Sequence, residues 1–306
     1  MYATRRDVLG AAVGAGAALL RPAGRLGAQP RPLIERPIPS TGERVPVIGL
    51  GTARRWEAVT TPADRAALRE VLRQFAARGG EVIDTAPSYG AAEEVAGDLV
   101  TDLGLRASLF LATKVGATGR QAGIEQIEAS FRRLRTSRLD LIAVHNLRDT
   151  ATQLRTLREI QQAGRIRYVG ITTSFPQQYD DFARTMRAER LDFIQVDYAL
   201  DRREAAATIL PLAADRGMAV MINLPFGRGR LFQTVQGRAL PPWAGELDCA
   251  SWAQFFLQYI VSHPAVTCCV PGIARVEYVL DNLGAAEGRL PDAGLRRRME
   301  DFIERL

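Results

Sequence analysis

Eight short, almost continuously apolar segments recur along this chain, and each is followed by a stretch with the spacing of an amphipathic helix. The segments are rich in Val and Ile and have the length of strands buried on both faces of a parallel sheet. Eight strand–helix units in one chain predict a single-domain (β/α)8 TIM barrel, with a doubly wound sheet as the alternative. The segments are VPVIGLG (45–51), EVIDT (81–85), LFLATKV (109–115), LDLIAVH (139–145), IRYVGIT (166–172), DFIQVDY (192–198), MAVMIN (218–223) and AVTCCVP (265–271).

The helical character of the intervening stretches is clearest in PADRAALREVLRQFAARGG. Leu68, Val71, Leu72 and Phe75 form one apolar stripe there, and the pair of glycines at 79–80 ends the pattern. The connection after the seventh strand is longer than the others and delays its helix. Helices are predicted at about 62–78, 91–101, 121–134, 151–163, 176–188, 204–216, 251–262, 275–285 and 291–306.

The N-terminus differs from the rest of the chain. Arg5 and Arg6 precede a weakly apolar run from Val8 to Leu20, whose 13 residues are too few to span a bilayer as a helix. A charged start, a short apolar run and small residues are typical of an export signal, and TRRDVL resembles the twin-arginine signals of bacteria. A tail without a targeting role is the alternative.

These patterns divide the chain into three parts. We expect a twin-arginine-type signal segment at 1–28, a Pro- and Arg-rich linker at 29–44 and the barrel at 45–306. The signal implies the twin-arginine export machinery as a partner and a periplasmic location. If the signal is not used, the protein is expected in the cytoplasm.

Charge and cysteine content exclude several classes of function. The formal net charge is +6, and half of it comes from the first 28 residues. No basic stripe with interleaved aromatic residues is present, so no nucleic-acid partner is expected. Cys249, Cys268 and Cys269 form no disulfide framework. The adjacent pair should point to opposite faces of a strand as small buried residues.

Ionisable and polar residues stand where the barrel strands are predicted to end, which is the end at which barrel enzymes carry their chemistry. Asp84 and Tyr89 follow the second strand, Lys114 ends the third and His145 ends the fourth. Lys114 is the only lysine, beside 39 arginines, and His145 is one of two histidines. Taken singly, each residue fits a structural role, but together they predict a reactive site.

The chemistry of this set suits protonation of an oxyanion as it forms. A tyrosine is a poor proton donor at neutral pH because its pKa is near ~10, and a nearby ammonium lowers that pKa. Asp84 would hold Lys114 through a charge-assisted hydrogen bond, and His145 would orient a substrate oxygen. The sequence shows no activated nucleophile and no metal-ligand cluster.

The stretches IDTAPSYG, ATKV and AVHN together resemble the aldo-keto reductases, over about residues 45–290. This resemblance implies a (β/α)8 barrel that transfers a hydride between NADPH and the carbonyl of a small molecule. It implies Tyr89 as general acid, Lys114 and Asp84 as groups that tune it, and His145 as the group that orients the carbonyl. The alternative is a non-catalytic barrel that binds a nicotinamide cofactor as a sensor or regulatory subunit.

Other segments resemble this family's cofactor contacts. GLGTA places Gly51 and Thr52 at the end of the first strand. Asp84 is expected to contact both Lys114 and the cofactor. Thr172 and Thr173, in GITTSFP, stand where the family usually has a Ser-Asn pair at the carboxamide. Gln195 matches the glutamine that binds the nicotinamide amide, with an ordinary strand-end hydrogen bond as its alternative role.

The segment INLPFGRGRL matches the loop that wraps the pyrophosphate, and VPGIARVEYVLDN matches the adenosine end. Arg275 is expected to bind the 2′-phosphate of NADP, so NADP is favoured and NAD is the alternative. Trp56, Trp243 and Phe232 are candidates for lining the substrate pocket, although packing is the favoured role for each. The expected contacts in the two segments are Asn223, Leu224, Pro225, Gly227, Gly229, Gly272, Arg275, Asp281 and Asn282.

Overall fold

The computed structural model describes residues 32–59 and 61–306. A short antiparallel hairpin, β1 (Glu35–Pro37) and β2 (Arg44–Pro46), precedes an eight-stranded parallel sheet whose strands lie in chain order. The strands of that sheet are β3 (Leu50–Gly51), β4 (Val82–Asp84), β5 (Phe110–Val115), β6 (Leu139–His145), β7 (Ile166–Thr172), β8 (Phe193–Asp197), β9 (Ala219–Asn223) and β10 (Cys268–Cys269).

The first and last strands of the sheet meet and close it. Ile48 bridges Cys269 and Gly51 bridges Gly272, both in parallel pairing. The Gly49 N–H donates to the Cys269 carbonyl at 2.8 Å. The predicted (β/α)8 barrel is confirmed, because a doubly wound sheet has two open edges instead of this closure.

Ten α-helices lie in the described residues, and nine of them match the predicted ranges to within about three residues. The tenth, α7, is a short helix in the long connection after β9 and was not predicted. The helices are α1 (Pro62–Ala77), α2 (Ala92–Asp102), α3 (Arg120–Arg133), α4 (Thr150–Gln162), α5 (Tyr179–Ala188), α6 (Ala205–Asp215), α7 (Arg230–Thr234), α8 (Trp252–Val261), α9 (Val276–Gly284) and α10 (Ala293–Glu304).

The N-terminal hairpin corrects two predictions. Residues 45–51 are not one strand, because β2 pairs with β1 and only Leu50–Gly51 joins the barrel. Residues 35–44 are not a linker, because Ile38 and Val45 are buried against the barrel interior, in one cluster with Phe110 and Tyr168. Because Phe110 and Tyr168 lie near the starts of their strands, the hairpin closes the N-terminal end of the barrel.

The two-residue period of the strands decides which side chains reach the opposite, C-terminal end. In β5, Phe110 and Ala112 belong to the interior cluster, whereas Leu111 and Val115 belong to the layer that packs against the helices. Alternation therefore directs Lys114 inward, above Ala112. Cys268 and Cys269 divide between the two clusters in the same way, as predicted.

The segment assigned to a signal, 1–28, and the first residues of the predicted linker lie outside the described residues. In the part of the chain that is described, no helix has both the length and the apolar character needed to cross a membrane.

Candidate active site

Three neighbouring strands bring the polar residues of the predicted site together. Asp84 ends β4, Lys114 is the next-to-last residue of β5 and His145 ends β6. The register aligns Asp84 with Ala112 and Lys114 with Ala143. The same inward alternation applies to all three strands, so the three side chains meet at the C-terminal end of the barrel.

Lys114 is the centre of this group. It is only 2% exposed, and its Nζ donates hydrogen bonds of 2.8 Å to both Asp84 Oδ1 and the Thr85 carbonyl oxygen. Nζ lies 5.2 Å from the centroid of the Tyr89 ring. Burial lowers the pKa of Lys114, but Asp84 and Tyr89 oppose this effect and raise the pKa above its ordinary value. The side chain is therefore a fixed positive charge.

The electrostatics of Tyr89 differ from the expectation. Burial raises the pKa of Tyr89, Lys114 lowers it, and Asp84 raises it again. The net result is a raised pKa. The ammonium of Lys114 lowers the pKa of Tyr89 as predicted, but the effect of burial is larger. Tyr89 is therefore protonated at neutral pH and holds a proton beside a buried cation.

His145 faces the Tyr89 ring edge-on, with the ring centroids 6.2 Å apart. Burial, followed by the charge of Lys114, lowers the pKa of His145 to about 4. The imidazole is therefore neutral at physiological pH and keeps one N–H to donate. The arrangement places a phenol and a neutral imidazole side by side.

All four residues line a cavity of about 480 Å³ at the C-terminal end of the barrel. Half of the fourteen other residues predicted to bind a cofactor line the same cavity, which supports their grouping. Those residues are Gly51, Thr172, Asn223, Leu224, Pro225, Gly229 and Gly272.

Two predicted threonine contacts are occupied by the protein itself. The Thr52 hydroxyl donates to the Asp84 carbonyl at 3.1 Å and is fully buried. The Thr173 hydroxyl lies 2.5 Å from Gln178 Oε1 and accepts from the Phe175 N–H. Both threonines hold loops in place, and neither lines the cavity. Each directly follows the last residue of a strand, and that last residue is the one that lines the cavity.

Two amides, Asn223 in the cavity lining and Gln195 on the neighbouring strand, lack partners for their oxygens. Gln195 is 3% exposed, and its Nε2 contacts Met221 Sδ at 3.2 Å, whereas its Oε1 has no partner. Asn223 Oδ1 is likewise buried and unpartnered. Such orphaned acceptors carry an energetic cost unless a ligand supplies donors. Both residues sit at inward positions of β8 and β9, so they fit a group with N–H donors, such as a carboxamide.

The predicted adenosine contacts lie apart from the cavity lining. Arg275 is exposed and lies 3.4 Å from Glu277 Oε1. The Asp281 carboxylate accepts from Ser251 Oγ at 2.9 Å and from Gln254 Nε2 at 3.0 Å. Asn282 is buried. Neither Asn282 nor Gly227 lines the cavity. These residues occupy α9, the capping position before it and the loop after β9.

Several lining residues were not predicted, although all lie in loops that follow strands. Among all the lining residues, both predicted and unpredicted, Arg54, Asn146, Leu224 and Arg228 adopt left-handed backbone conformations, with φ of 62°, 53°, 50° and 60°. Non-glycine residues adopt this conformation at an energetic cost and cluster at functional sites. This backbone conformation is visible only in the folded loops and not in the sequence. The unpredicted lining residues are Ala53, Arg54, Arg55, Glu57, Ser88, Asn146, Ser174, Phe175, Phe226 and Val270.

The aromatic candidates divide clearly. Phe232 lines the cavity and is 39% exposed. Trp56 is fully buried and its Nε1 donates to the Ile273 carbonyl at 2.8 Å. Trp243 packs against Phe255. Packing was the favoured role for the two tryptophans, and the structure gives them that role.

Comparison with known proteins gives a consistent match. Residues 47–298 match the model of the aldo/keto reductase family. The chain is 30% identical to methylglyoxal reductase YeaE of Escherichia coli, over 82% of this chain and 89% of that protein. It is also 30% identical to aldo-keto reductase YhdN of Bacillus subtilis, over 63% of this chain and 62% of that protein.

Solved structures agree with the barrel. An aldo/keto reductase from Klebsiella pneumoniae, crystallised with NADP and acetate, superposes with a TM-score of 0.72 at 26% identity, over 86% of this chain and 93% of that one. A glycerol dehydrogenase from Gluconobacter oxydans superposes with a TM-score of 0.71 at 21% identity, over 88% and 94% of the two chains.

Proposed function

This chain belongs to the aldo/keto reductase family of NAD(P)H-dependent oxidoreductases, and we propose that it reduces an aldehyde or a ketone to an alcohol with Tyr89 as the general acid. One observation carries the proposal. Lys114 joins Asp84 at 2.8 Å and lies 5.2 Å from the Tyr89 ring, and this group shares one cavity with His145.

The proton transfer follows from the charges around Tyr89. NADPH, when bound, supplies the hydride to the carbonyl carbon. Tyr89 keeps its proton at neutral pH because its pKa is raised, and it gives up that proton only as negative charge develops on the carbonyl oxygen. Lys114 then stabilises the phenolate that forms, since opposite charges attract strongly in a buried site.

His145 has a positioning role in this scheme. With a pKa lowered to about 4, it is neutral and does not compete with Tyr89 as an acid at physiological pH. Its N–H would donate to the carbonyl oxygen and hold that oxygen within reach of the Tyr89 hydroxyl. A neutral donor suits this task because it leaves the positive charge on Lys114.

The residues present fit a nicotinamide cofactor. The unpartnered oxygens of Gln195 and Asn223 suit the amide N–H groups of a carboxamide. Gly229, with φ of 98° and no atom within 4 Å of where a Cβ would stand, leaves backbone open to a phosphate. The relative from Klebsiella pneumoniae was solved with NADP, and we propose NADP as the cofactor here. Arg275 is the candidate for its 2′-phosphate.

The Tyr89→Phe variant tests the catalytic proposal. We expect turnover of an aldehyde panel that includes methylglyoxal to fall at least roughly 100-fold, because the proton donor is lost. NADPH affinity, measured by fluorescence titration, should stay within a factor of about two to three, since no cofactor contact is altered. Unchanged turnover in this variant would refute Tyr89 as the acid.

The same measurements decide between an enzyme and a cofactor-binding regulatory subunit. A sensor would bind NADPH tightly and show at most one turnover per bound cofactor. An enzyme would show continuous oxidation of added NADPH with any reducible aldehyde. We favour the enzyme because the buried pair of Lys114 and Asp84 lies beside Tyr89, a proton donor that cofactor binding alone does not require.

We also propose that the protein is exported through the twin-arginine route to the periplasm, supported only by the sequence of residues 1–28. Fractionation of cells that express the full chain and an Arg5→Lys/Arg6→Lys variant tests this proposal. We expect the native chain in the periplasm and the variant in the cytoplasm. Equal cytoplasmic retention of both would refute it.

A further inference from the structure

The cavity carries more positive charge than the proposed reaction needs. Four cationic side chains and two carboxylates line it. Lys114 and Asp84 neutralise one another at 2.8 Å. The other three cations are the arginines Arg54, Arg55 and Arg228, and the remaining carboxylate is Glu57. This excess attracts anions. The phosphates of the cofactor are the first of these, so a site for an anionic substrate needs an arginine that does not lie toward the cofactor.

Arg54 is held in place from its backbone. It has φ of 62°, and its N–H donates to Glu57 Oε1 at 2.6 Å. The Glu57 carbonyl oxygen in turn accepts from the Ala91 N–H at 3.1 Å, and a Cβ on Gly90 would lie 2.6 Å from that oxygen. The strained loop that carries Arg54 therefore packs directly against the loop that carries Tyr89.

The surroundings of the other two arginines distinguish them from Arg54. Arg55 Cγ lies 3.4 Å from where a Cβ on Gly272 would stand, next to β10. Arg228 lies in the loop after β9, next to Gly229, whose backbone has free space beside it. Both lie toward the segments that match the cofactor's phosphates. Arg54 and Arg55 share the loop that adjoins the loop of Tyr89, so Arg54 is the one arginine of the three that does not lie toward those segments, and no side chain of the described residues pairs with its guanidinium.

We propose that Arg54 selects carbonyl substrates that carry an anionic group, a carboxylate or a phosphate ester, close to the carbonyl. The guanidinium provides two parallel N–H donors that match such a group. With Arg54 bound to the anion, the carbonyl lies toward Tyr89 and His145. This inference rests on the proposed reductase function and names the substrate class of that same cavity.

Matched substrates test the proposal. The kcat/KM for 4-carboxybenzaldehyde is compared with that for its neutral methyl ester, and 4-formylphenyl phosphate is compared with 4-methoxybenzaldehyde. These pairs are measured on the native protein, Arg54→Gln, Arg55→Gln and the exposed control Arg187→Gln. The two pairs distinguish a carboxylate from a phosphate as the preferred anion, and either preference supports the proposal.

We expect the native protein to prefer the anionic member of at least one pair by about 10- to 100-fold, the range of a charged hydrogen bond. Arg54→Gln should lose that preference and keep its activity on the neutral member. Arg55→Gln should weaken NADPH binding instead, and Arg187→Gln should change neither. An unchanged preference in Arg54→Gln, or no preference in the native protein, would overturn the proposal.

Binding measurements keep this test independent of turnover. Calorimetric titration of the NADP complex with 4-carbamoylbenzoate and its methyl ester uses ligands that cannot be reduced. Tighter binding of the anion that is lost in Arg54→Gln supports the anion site even if no aldehyde is turned over, in which case only the reductase function fails. Equal binding of anion and ester to the native protein refutes the anion site.

Discussion

Replacement of Lys114 by methionine tests the centre of the site. The variant removes the buried charge at nearly constant volume and leaves Asp84 without its partner at 2.8 Å. Removal of one member of a buried pair costs about 3–5 kcal/mol of unfolding free energy. For catalysis, a charge 5.2 Å from the Tyr89 ring centroid contributes at most about 3 kcal/mol at an effective dielectric constant of ~20.

These magnitudes predict two separable effects. Turnover should fall roughly 100-fold, because the phenolate of Tyr89 loses its stabilising charge. Urea unfolding should show a large loss of stability. The matched control is the double variant Lys114→Met/Asp84→Asn, which contains neither buried charge. It should recover most of the lost stability and remain as slow as the single variant.

The assay is NADPH oxidation at saturating aldehyde, combined with urea unfolding followed by circular dichroism. If the double variant regains turnover together with stability, Lys114 acts only through the fold, and the proposed catalytic role is refuted. Turnover of the single variant within about threefold of native would refute the Coulomb argument directly.

Three further predictions concern the same fold. Lys114→Arg keeps the positive charge, so its unfolding free energy should stay closer to native than that of Lys114→Met. It should still lose most turnover in the NADPH assay, because the longer guanidinium side chain crowds Tyr89. Normal activity would contradict this. Gly97→Ala should lower the unfolding free energy measured in urea by ~2 kcal/mol, because its Cβ would lie 2.1 Å from a carbonyl oxygen of the next helix. The control Gly245→Ala places its Cβ where no atom lies within 4 Å and should match native. The pKa of His263 is lowered to about 4 by burial and then by neighbouring arginines, so the unfolded chain binds its proton first as pH falls, and stability should decline between about pH 6.5 and 4. His263→Gln should reduce the difference in unfolding free energy between pH 7 and 4.5 by ~2 kcal/mol; an unchanged difference would contradict the assignment.

The hairpin and the cavity loops show where prediction from sequence ended. The apolar run at 45–51 was interpreted as one strand because hydrophobic pattern does not specify a pairing partner. Residues 35–37 were interpreted as a linker because their burial depends on contacts with the far ends of several strands. The lowered pKa expected for Tyr89 was wrong, because burial is a property of the folded cavity and it exceeds the effect of Lys114.

The sequence by itself determined the barrel and the ionisable residues that meet at its C-terminal end. Period-two alternation and parallel register together direct Asp84, Lys114 and His145 inward at one end, and both follow from local pattern. The tertiary structure alone decided which hydroxyls and amides remain free. Thr52 and Thr173 are used within the protein, whereas Gln195 keeps an unpartnered oxygen. Such accounting depends on distances between residues far apart in the chain, which no local pattern contains.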